Sequence, residues 1–376
     1  MDDGAAPADP GPRPADGYVG RIPVRNLWLL ILYASDLFRT IGKNAVSLEE
    51  NPDDLPDLVA EILARAVEER QRRHLSLGYR SREAPLNRVR GRIDALSTER
   101  RQLLARGLVA CRFDELTIDT PRNRFVRAAL EKIARSVRRR ELAHRCRKLA
   151  HDMKMMGVSG IAPTRAQISA DRFGRHDAGD RHMVAAAKLA FDLALPAEAA
   201  GKDMLPLPDR EEQWVRRLFE RAVAGFFDVM LSGGEWHVAP GRRLSWQIGW
   251  STPDIKKILP SMQTDIVLDH LPSRRRIVID TKFNAILTHG WHRDETLRNG
   301  YLYQIYAYLR SQVDGGDPFA DRAEGVLLHP TVGRDVCETA VIQGHRIRFM
   351  TVDLARDATK MRAELLRVAD LWWAEP

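Results

Sequence analysis

The sequence has few cysteines and no long apolar run. Its 376 residues include three cysteines, Cys111, Cys146 and Cys337, which are far apart in the chain. Cysteines spaced in this way fit neither a disulfide framework nor a zinc site, so we expect a reducing, cytoplasmic location. No apolar run of about 18 residues is present, so no membrane-spanning helix is expected. The N-terminus also lacks the basic and apolar regions of a secretory signal.

The sequence also lacks the glycine-rich motifs that bind nucleotide phosphates. Neither GxxxxGK[ST] nor GxGxxG occurs, which excludes a nucleotide-driven motor of these types within this chain. The composition is basic, with 59 Lys and Arg against 51 Asp and Glu, a net charge of +8 and a pI of about 9.6. Excess positive charge favours an anionic partner, and nucleic acid is the simplest one.

Composition divides the chain into three parts. Residues 1–18 are rich in proline, glycine, aspartate and alanine and are predicted to be a disordered tail. Residues 196–209 contain three prolines and a glycine, which indicates a domain boundary. We therefore predict an N-terminal region over 19–195 that contacts a partner or DNA, and a C-terminal domain over 196–376.

The order of helical and strand patterns predicts an α/β fold. Apolar residues recur at helical spacing in 214–227 and 299–309. Short β-branched or apolar runs at 262–269, 276–283, 325–330 and 347–352 are typical of strands. A mixed sheet flanked by helices follows for the C-terminal domain. The N-terminal region is predicted to be mainly helical with a small β element.

Three arginines alternate in the N-terminal region. On a strand, Arg88, Arg90 and Arg92 would share one face, because successive side chains of a strand point to opposite sides. Such a face could contact DNA phosphates or an acidic partner. A solvated basic edge is an equally good interpretation of the pattern.

Two aspartates and a lysine are predicted to meet at one end of the C-terminal sheet. The first two predicted strands of this domain are separated by a short turn, which indicates a hairpin. Asp280 and Lys282 are two residues apart and project from the same face, whereas Thr281 points the other way. Asp265 begins the first strand and could lie beside Asp280 across the ladder.

This arrangement suits metal-dependent phosphodiester hydrolysis. Carboxylate oxygens from Asp265 and Asp280 suit Mg²⁺, with Mn²⁺ as an alternative, and the backbone carbonyl of Thr281 is a further candidate ligand. The metal would polarise the phosphoryl group and activate water. Lys282 could orient or deprotonate that water, or stabilise the transition-state charge. Two solvated strand ends are the alternative, although a buried apolar strand rarely ends in Asp-x-Lys.

The two flanking helices supply further candidates. Glu220, on the predicted helix before the sheet, is a candidate metal ligand or a solvated helix charge. On the tyrosine-rich helix after the sheet, Gln304 and either Tyr303 or Tyr301 could face the scissile phosphate. Core packing is the alternative interpretation of these tyrosines.

The acid–acid–lysine pattern resembles the PD-(D/E)xK nuclease motif without its frequent proline. Over nearly the whole chain from about residue 21, the sequence also resembles the McrC family, the nuclease subunit of McrBC-type modified-cytosine restriction systems. The segments that carry this resemblance are Ile22-Pro-Val-Arg-Asn-Leu27, Arg90-Gly-Arg-Ile-Asp94, Phe113-Asp-Glu-Leu116, Thr120-Pro-Arg-Asn-Arg124, Ile258-Leu-Pro260, Thr264-Asp-Ile-Val267, Ile279-Asp-Thr-Lys-Phe283 and Leu302-Tyr-Gln-Ile-Tyr306.

The resemblance implies a function for each half of the chain. It implies that Asp265, Asp280 and Lys282 are catalytic, and that the N-terminal half docks on and stimulates an McrB-like AAA+ GTPase ring. Double-stranded DNA would be cut after translocation by that motor. The alternative is a non-catalytic basic adaptor that only activates the AAA+ partner.

Overall fold

The structure is a computed structural model. It describes residues 18–19, 21–41, 54–164, 167–168, 173, 178–199, 209–231, 233–288 and 295–370. Most of the predicted N-terminal tail and residues 200–208 of the predicted boundary therefore lie outside the described residues. Within the described part, no helix is both long and apolar enough to cross a membrane.

Helices and strands alternate along the chain. The strands are β1 (Tyr18–Val19), β2 (Ile22–Pro23), β3 (Gly78–Leu86), β4 (Arg92–Ile93), β5 (Val109–Thr117), β6 (Trp236–Pro240), β7 (Arg243–Leu244), β8 (Met262–Gln263), β9 (Ile266–His270), β10 (Arg275–Thr281), β11 (Leu287–Thr288), β12 (Thr296–Leu297), β13 (Glu324–Pro330), β14 (Cys337–Ile342) and β15 (His345–Val352). The helices are α1 (Val24–Tyr33), α2 (Asp36–Ile41), α3 (Leu55–Arg72), α4 (Ala95–Arg100), α5 (Pro121–Ile133), α6 (Arg140–Met155), α7 (Ala178–Ala199), α8 (Asp209–Leu231), α9 (Ile255–Ile258), α10 (Asn299–Arg310) and α11 (Ala358–Val368).

The chain forms two compact units. Unit 1 comprises Met1–Leu55 and Leu195–Pro376, and unit 2 comprises Pro56–Ala194. The domain boundary was predicted from the sequence over residues 196–209, and unit 2 ends at Ala194. The division predicted from the sequence differs for residues 19–55, because the structure groups them with the C-terminal unit.

Unit 1 is built on a six-stranded mixed sheet with the order β14-β15-β13-β10-β9-β6. The pairs β10–β13 and β13–β15 are parallel, and the remaining pairs are antiparallel. Apolar side chains on one face of the sheet pack against α10, which contributes Ile305, Tyr308 and Leu309 to the core. This α/β arrangement confirms the predicted fold class.

The first helix of the chain packs within unit 1. The side-chain amide of Asn26 donates hydrogen bonds to the carbonyl oxygens of Leu354 (2.6 Å) and Arg356 (2.9 Å), which follow β15. Helices α1 and α8 approach so closely at Gly225 that an added Cβ would lie 2.0 Å from the carbonyl oxygen of Tyr33. Only glycine permits this contact between backbones without a shift of one helix.

Unit 2 combines helices with the three-stranded antiparallel sheet β3-β5-β4. Thr120 caps α5 by accepting a hydrogen bond from the amide of Asn123 (3.1 Å), with Pro121 in the first turn. The fully buried Asp180 forms ion pairs with Arg70 (2.6 Å) and Arg122 (2.8 Å). A mainly helical region with a small β element was predicted, and this prediction is confirmed.

Candidate active site

Asp280 lies near the end of an interior strand. Ile277, Val278 and Ile279 are fully buried because β10 pairs with β9 on one side and β13 on the other. Asp280 is itself only 1% exposed. Its Oδ2 is paired with Nζ of Lys282 at 2.7 Å, whereas Oδ1 accepts no hydrogen bond from the described part of the chain. A buried charge usually has hydrogen-bond donors, so this carboxylate is under-satisfied.

Asp265 is the neighbour of Asp280 across the β9–β10 hairpin. The last recorded pair of this ladder is Ile279 with Ile266, so the next step places Asp280 opposite Asp265. Oδ2 of Asp265 accepts hydrogen bonds from the backbone amide (2.7 Å) and the hydroxyl (2.8 Å) of Thr281. From strand alternation, the Thr281 side chain was expected to point away from the face of Asp280 and Lys282, yet its hydroxyl bonds Asp265. These two bonds fix the orientation of the Asp265 carboxylate.

The environment of Asp280 opposes its ionisation. Burial raises the pKa of Asp280 to about 6. The positive charge of Lys282 lowers this pKa, and the negative charge of Asp265 raises it further. A cation at this position would favour the ionised form, because an opposite charge stabilises a carboxylate.

Lys282 is held beside Asp280 at the end of the sheet. Its backbone amide donates to the carbonyl oxygen of Leu328 (3.0 Å), which extends the parallel pairing of β10 with β13. The side chain is 8% exposed. The ammonium also lies over the ring of Tyr301, with Nζ 5.2 Å from the ring centroid.

Asn284 and His329 surround Tyr301. The side-chain amide of Asn284 donates to the Tyr301 hydroxyl (2.5 Å), and the centroids of the Tyr301 and His329 rings are 5.8 Å apart. Nδ1 of His329 donates to the carbonyl oxygen of Asn284 (2.9 Å). Burial, together with the charge of Lys282, lowers the pKa of His329 to about 4, so this ring is neutral at physiological pH. Asn284 and His329 were not predicted from the sequence.

Glu220 lies on α8 within electrostatic range of the acids. The ring of Phe219 contacts Phe283 at a centroid distance of 5.9 Å, which brings α8 to the segment after β10. Although Glu220 as a whole is exposed, partial desolvation of its carboxyl group raises its pKa, and the negative charge of Asp265 raises it further. Glu220 is therefore a third carboxylate near the edge of the site.

The residues predicted on α10 occupy different environments. Gln304 donates to the hydroxyl of Tyr308 (2.7 Å), and burial, with smaller effects of Asp280 and Asp265, raises the pKa of Tyr308. Gln304 is therefore connected to the site through the side chain of Tyr308. Tyr303 is 67% exposed on the same helix.

The donor set fits a hard divalent cation. Within the described residues, no group of three or more His, Cys, Asp or Glu side chains is arranged to hold a metal, so Glu220 does not complete a cluster with the two aspartates. Mg²⁺, however, needs only one or two carboxylates, because it keeps several waters. Asp280, with its under-satisfied buried oxygens, and the neighbouring Asp265 meet that requirement.

The three arginines of unit 2 do not form the predicted strand face. Arg92 lies in β4, whereas Arg88 and Arg90 lie in the connection between β3 and β4. Gly91 has a φ of 68°, which interrupts the alternation on which the prediction depended. The guanidinium of Arg90 lies over the ring of Phe113, 4.3 Å from its centroid. All three arginines are exposed.

The two aspartates and the lysine thus lie at the end of a mixed sheet in an α/β unit. A family model, the McrBC 5-methylcytosine restriction system component, matches residues 12–202, and the chain belongs to this family. No curated protein sequence matches.

Two solved structures are similar to this chain. One is a half-complex from the tetradecameric assembly of Thermococcus gammatolerans McrB AAA+ hexamers with bound McrC. It is 14% identical with a TM-score of 0.41, and the alignment covers 92% of this chain and 76% of that chain. The other, the cryo-EM structure of the Thermococcus gammatolerans McrBC complex, is 18% identical with a TM-score of 0.32 and coverages of 57% and 60%.

Proposed function

We propose that this chain is the Mg²⁺-dependent DNA endonuclease subunit of an McrBC-type restriction system, with its active site at Asp265, Asp280 and Lys282. The observation that carries the proposal is the buried carboxylate of Asp280, whose Oδ2 lies 2.7 Å from the Lys282 ammonium and whose Oδ1 accepts no hydrogen bond in the described part of the chain. Such a group destabilises the folded protein unless it serves a ligand or a reaction.

Asp265 and Asp280 would hold the divalent cation between them. When bound, Mg²⁺ would polarise the phosphodiester and make a coordinated water more acidic. Asp265 is oriented for this role by the two hydrogen bonds from Thr281. Mn²⁺ has similar oxygen-ligand preferences and is expected to substitute. The backbone carbonyl of Thr281 stays a predicted ligand.

Lys282 contributes a positive charge beside the acids. During hydrolysis, an oxygen of water bonds to phosphorus while the bond from phosphorus to the leaving sugar oxygen breaks. Negative charge accumulates on the phosphoryl oxygens in the transition state. A fixed ammonium stabilises this transition state more than it stabilises the ground state. Lys282 therefore acts as an electrostatic stabiliser. The attacking water loses a proton to the solvent, and the leaving oxygen takes a proton from water.

Family membership and charge support the two proposed partners. A component of an McrBC restriction system is expected to act with an AAA+ GTPase, and unit 2, which the family match covers, would dock on it. The net charge of +8 supports binding to double-stranded DNA. Exposed Arg88, Arg90 and Arg92 are candidates for either contact.

A non-catalytic adaptor is the second candidate function. The family match ends at residue 202, before the acids and the lysine, so family membership alone accounts for a role in the assembly and not for cleavage. An adaptor would stimulate the GTPase and leave DNA intact.

Plasmid cleavage separates the two functions. Wild type, Lys282→Ala and the control Lys257→Ala, whose side chain is 77% exposed, would each be mixed with Mg²⁺ and plasmid, with and without the AAA+ GTPase and GTP. We expect wild type and Lys257→Ala to cut only in the full mixture, and Lys282→Ala to stimulate GTP hydrolysis without cutting. Undiminished cutting by Lys282→Ala would refute the site. GTPase stimulation without any cutting by wild type would establish the adaptor.

A further inference from the structure

Within the described residues, the ammonium of Lys282 contacts two side chains, and one of them is a proposed metal ligand. Its ammonium lies 2.7 Å from Oδ2 of Asp280 and 5.2 Å from the ring centroid of Tyr301. A cation on Asp280 would compete with the ammonium for the same oxygen, because like charges repel at short range. The lysine then needs another stabilising group in order to stay at the site.

The ring of Tyr301 can supply that stabilisation. A cation over an aromatic face is attracted by the ring quadrupole, and the attraction is stronger where water is excluded. Lys282 is 6% exposed as a residue, so its ammonium has little access to water. The four-carbon stem of a lysine otherwise has many rotamers, which the ring restricts.

Tyr301 is itself fixed from two sides. The amide of Asn284 donates to its hydroxyl, and the ring of His329 lies 5.8 Å away. His329 in turn donates to the backbone carbonyl of Asn284 (2.9 Å), which closes the set. These contacts join the segment after β10, helix α10 and strand β13, so the tyrosine ring has a defined position against the lysine.

We propose that Tyr301 is a positioning residue for Lys282, whose ring keeps the ammonium at the active site when Asp280 is occupied by a cation. The placement of Lys282 by Tyr301 rests on the contacts described above. Its consequence for catalysis rests on the proposed function. The aromatic face is the required feature, and the hydroxyl serves to hold the ring.

Substitution of Tyr301 tests whether its aromatic face positions Lys282. Tyr301→Leu and Tyr301→Met remove the aromatic face, whereas Tyr301→Phe keeps it. We expect kcat for plasmid cleavage in the full mixture to fall about 5- to 30-fold in the Leu and Met variants, with KM for DNA unchanged. Tyr301→Phe should stay within about 3-fold of wild type. The control Tyr306→Phe, on the same helix, removes a hydroxyl that bonds Gln343 and should cut like wild type.

A second measurement reports on Lys282 without DNA cleavage. Acetic anhydride labelling in excess Mg²⁺, followed by mass spectrometry, gives the acetylation rate of each lysine. We expect Lys282 to react at least about 5-fold faster in Tyr301→Leu and Tyr301→Met than in wild type or Tyr301→Phe. Lys360, which is exposed, serves as the internal reference. The proposal would be overturned if the folded Tyr301→Leu or Tyr301→Met variant kept the wild-type acetylation rate of Lys282 and the wild-type kcat. Equal defects in Tyr301→Phe and Tyr301→Leu would also overturn it. Absence of cleavage by wild type would refute the nuclease assignment, and the labelling rates would still decide the placement of Lys282.

Discussion

Replacement of Asp280 by asparagine tests the electrostatics of the proposed site. In the metal-free protein, burial raises the pKa of Asp280 from its ordinary value of 3.8 to about 6. Each pKa unit corresponds to about 1.4 kcal/mol, so ionised Asp280 destabilises the folded state by about 3 kcal/mol relative to its protonated form. Asparagine has nearly the same shape and does not ionise.

The sign of the pH dependence follows from this shift. Between pH 3.8 and about 6, the folded protein holds a proton on Asp280 that the unfolded chain releases. The contribution of Asp280 to stability is therefore full below pH 3.8 and is lost as the pH rises through 6. We expect the free energy of unfolding of Asp280→Asn, relative to wild type, to increase by up to about 3 kcal/mol between pH 4 and pH 7. The ion pair with Lys282 forms only while Asp280 is ionised, and its effect is already contained in this pKa.

Urea unfolding followed by tryptophan fluorescence measures this difference. All eight tryptophans lie in the segments that form unit 1, so the signal reports on the unit that contains Asp280. The experiment is carried out in EDTA, with Asp254→Asn as the control, because the Asp254 side chain is 81% exposed. A difference between Asp280→Asn and wild type that is constant from pH 4 to pH 7, or that decreases, would refute the reasoning. Excess Mg²⁺ at pH 7 should stabilise wild type and leave Asp280→Asn nearly unchanged.

Two further substitutions test the packing of each unit. Gly225→Ala places a Cβ 2.0 Å from the carbonyl oxygen of Tyr33. We expect the free energy of unfolding in the same urea assay to fall by about 1–3 kcal/mol. Wild-type stability would contradict the close helix contact. Asp180→Ala removes the buried carboxylate that pairs with Arg70 and Arg122. Hydrogen exchange of unit 2 amides should then report a stability lower by about 3–5 kcal/mol. Unchanged protection would show that the ion pairs contribute little.

The hairpin that carries the acids was predictable from the sequence. Its two β-branched runs and short turn predict adjacent strands, and β9 and β10 pair antiparallel as expected. Strand alternation also places Asp280 and Lys282 on one face, and they form an ion pair. These features depend on residues close together in the chain, where periodicity is informative.

The surroundings of Lys282 were not predictable in the same way. His329 follows the apolar run of β13 much as Asp280 follows that of β10, and the ends of parallel strands lie at the same edge of a sheet. That repeated pattern could have identified His329. The contact of Tyr301 with Lys282 depends on how α10 packs on the sheet, which local spacing does not determine.

Local patterns in the sequence do not show which long-range contacts join the start of the chain to a compact unit. The apolar run at the start of the chain predicts a buried helix but not its partner. Asn26 bonds carbonyl oxygens more than 300 residues away, and those bonds join α1 to unit 1. In unit 2, alternation along the sequence predicted Arg88, Arg90 and Arg92 on one strand. Gly91 has a positive φ that interrupts this alternation, and the pattern of side chains alone did not indicate it.

Binding of a divalent cation tests the central claim most directly. Titration of Mn²⁺ into the metal-free protein, followed by electron paramagnetic resonance, counts bound cations for wild type, Asp265→Asn, Asp280→Asn and the control Asp254→Asn. We predict one site per chain in wild type and in the control, with affinity reduced at least about 10-fold in each active-site variant. Equal binding by all four proteins, or no binding by wild type, would contradict the assignment of Asp265 and Asp280 as the metal site of a nuclease.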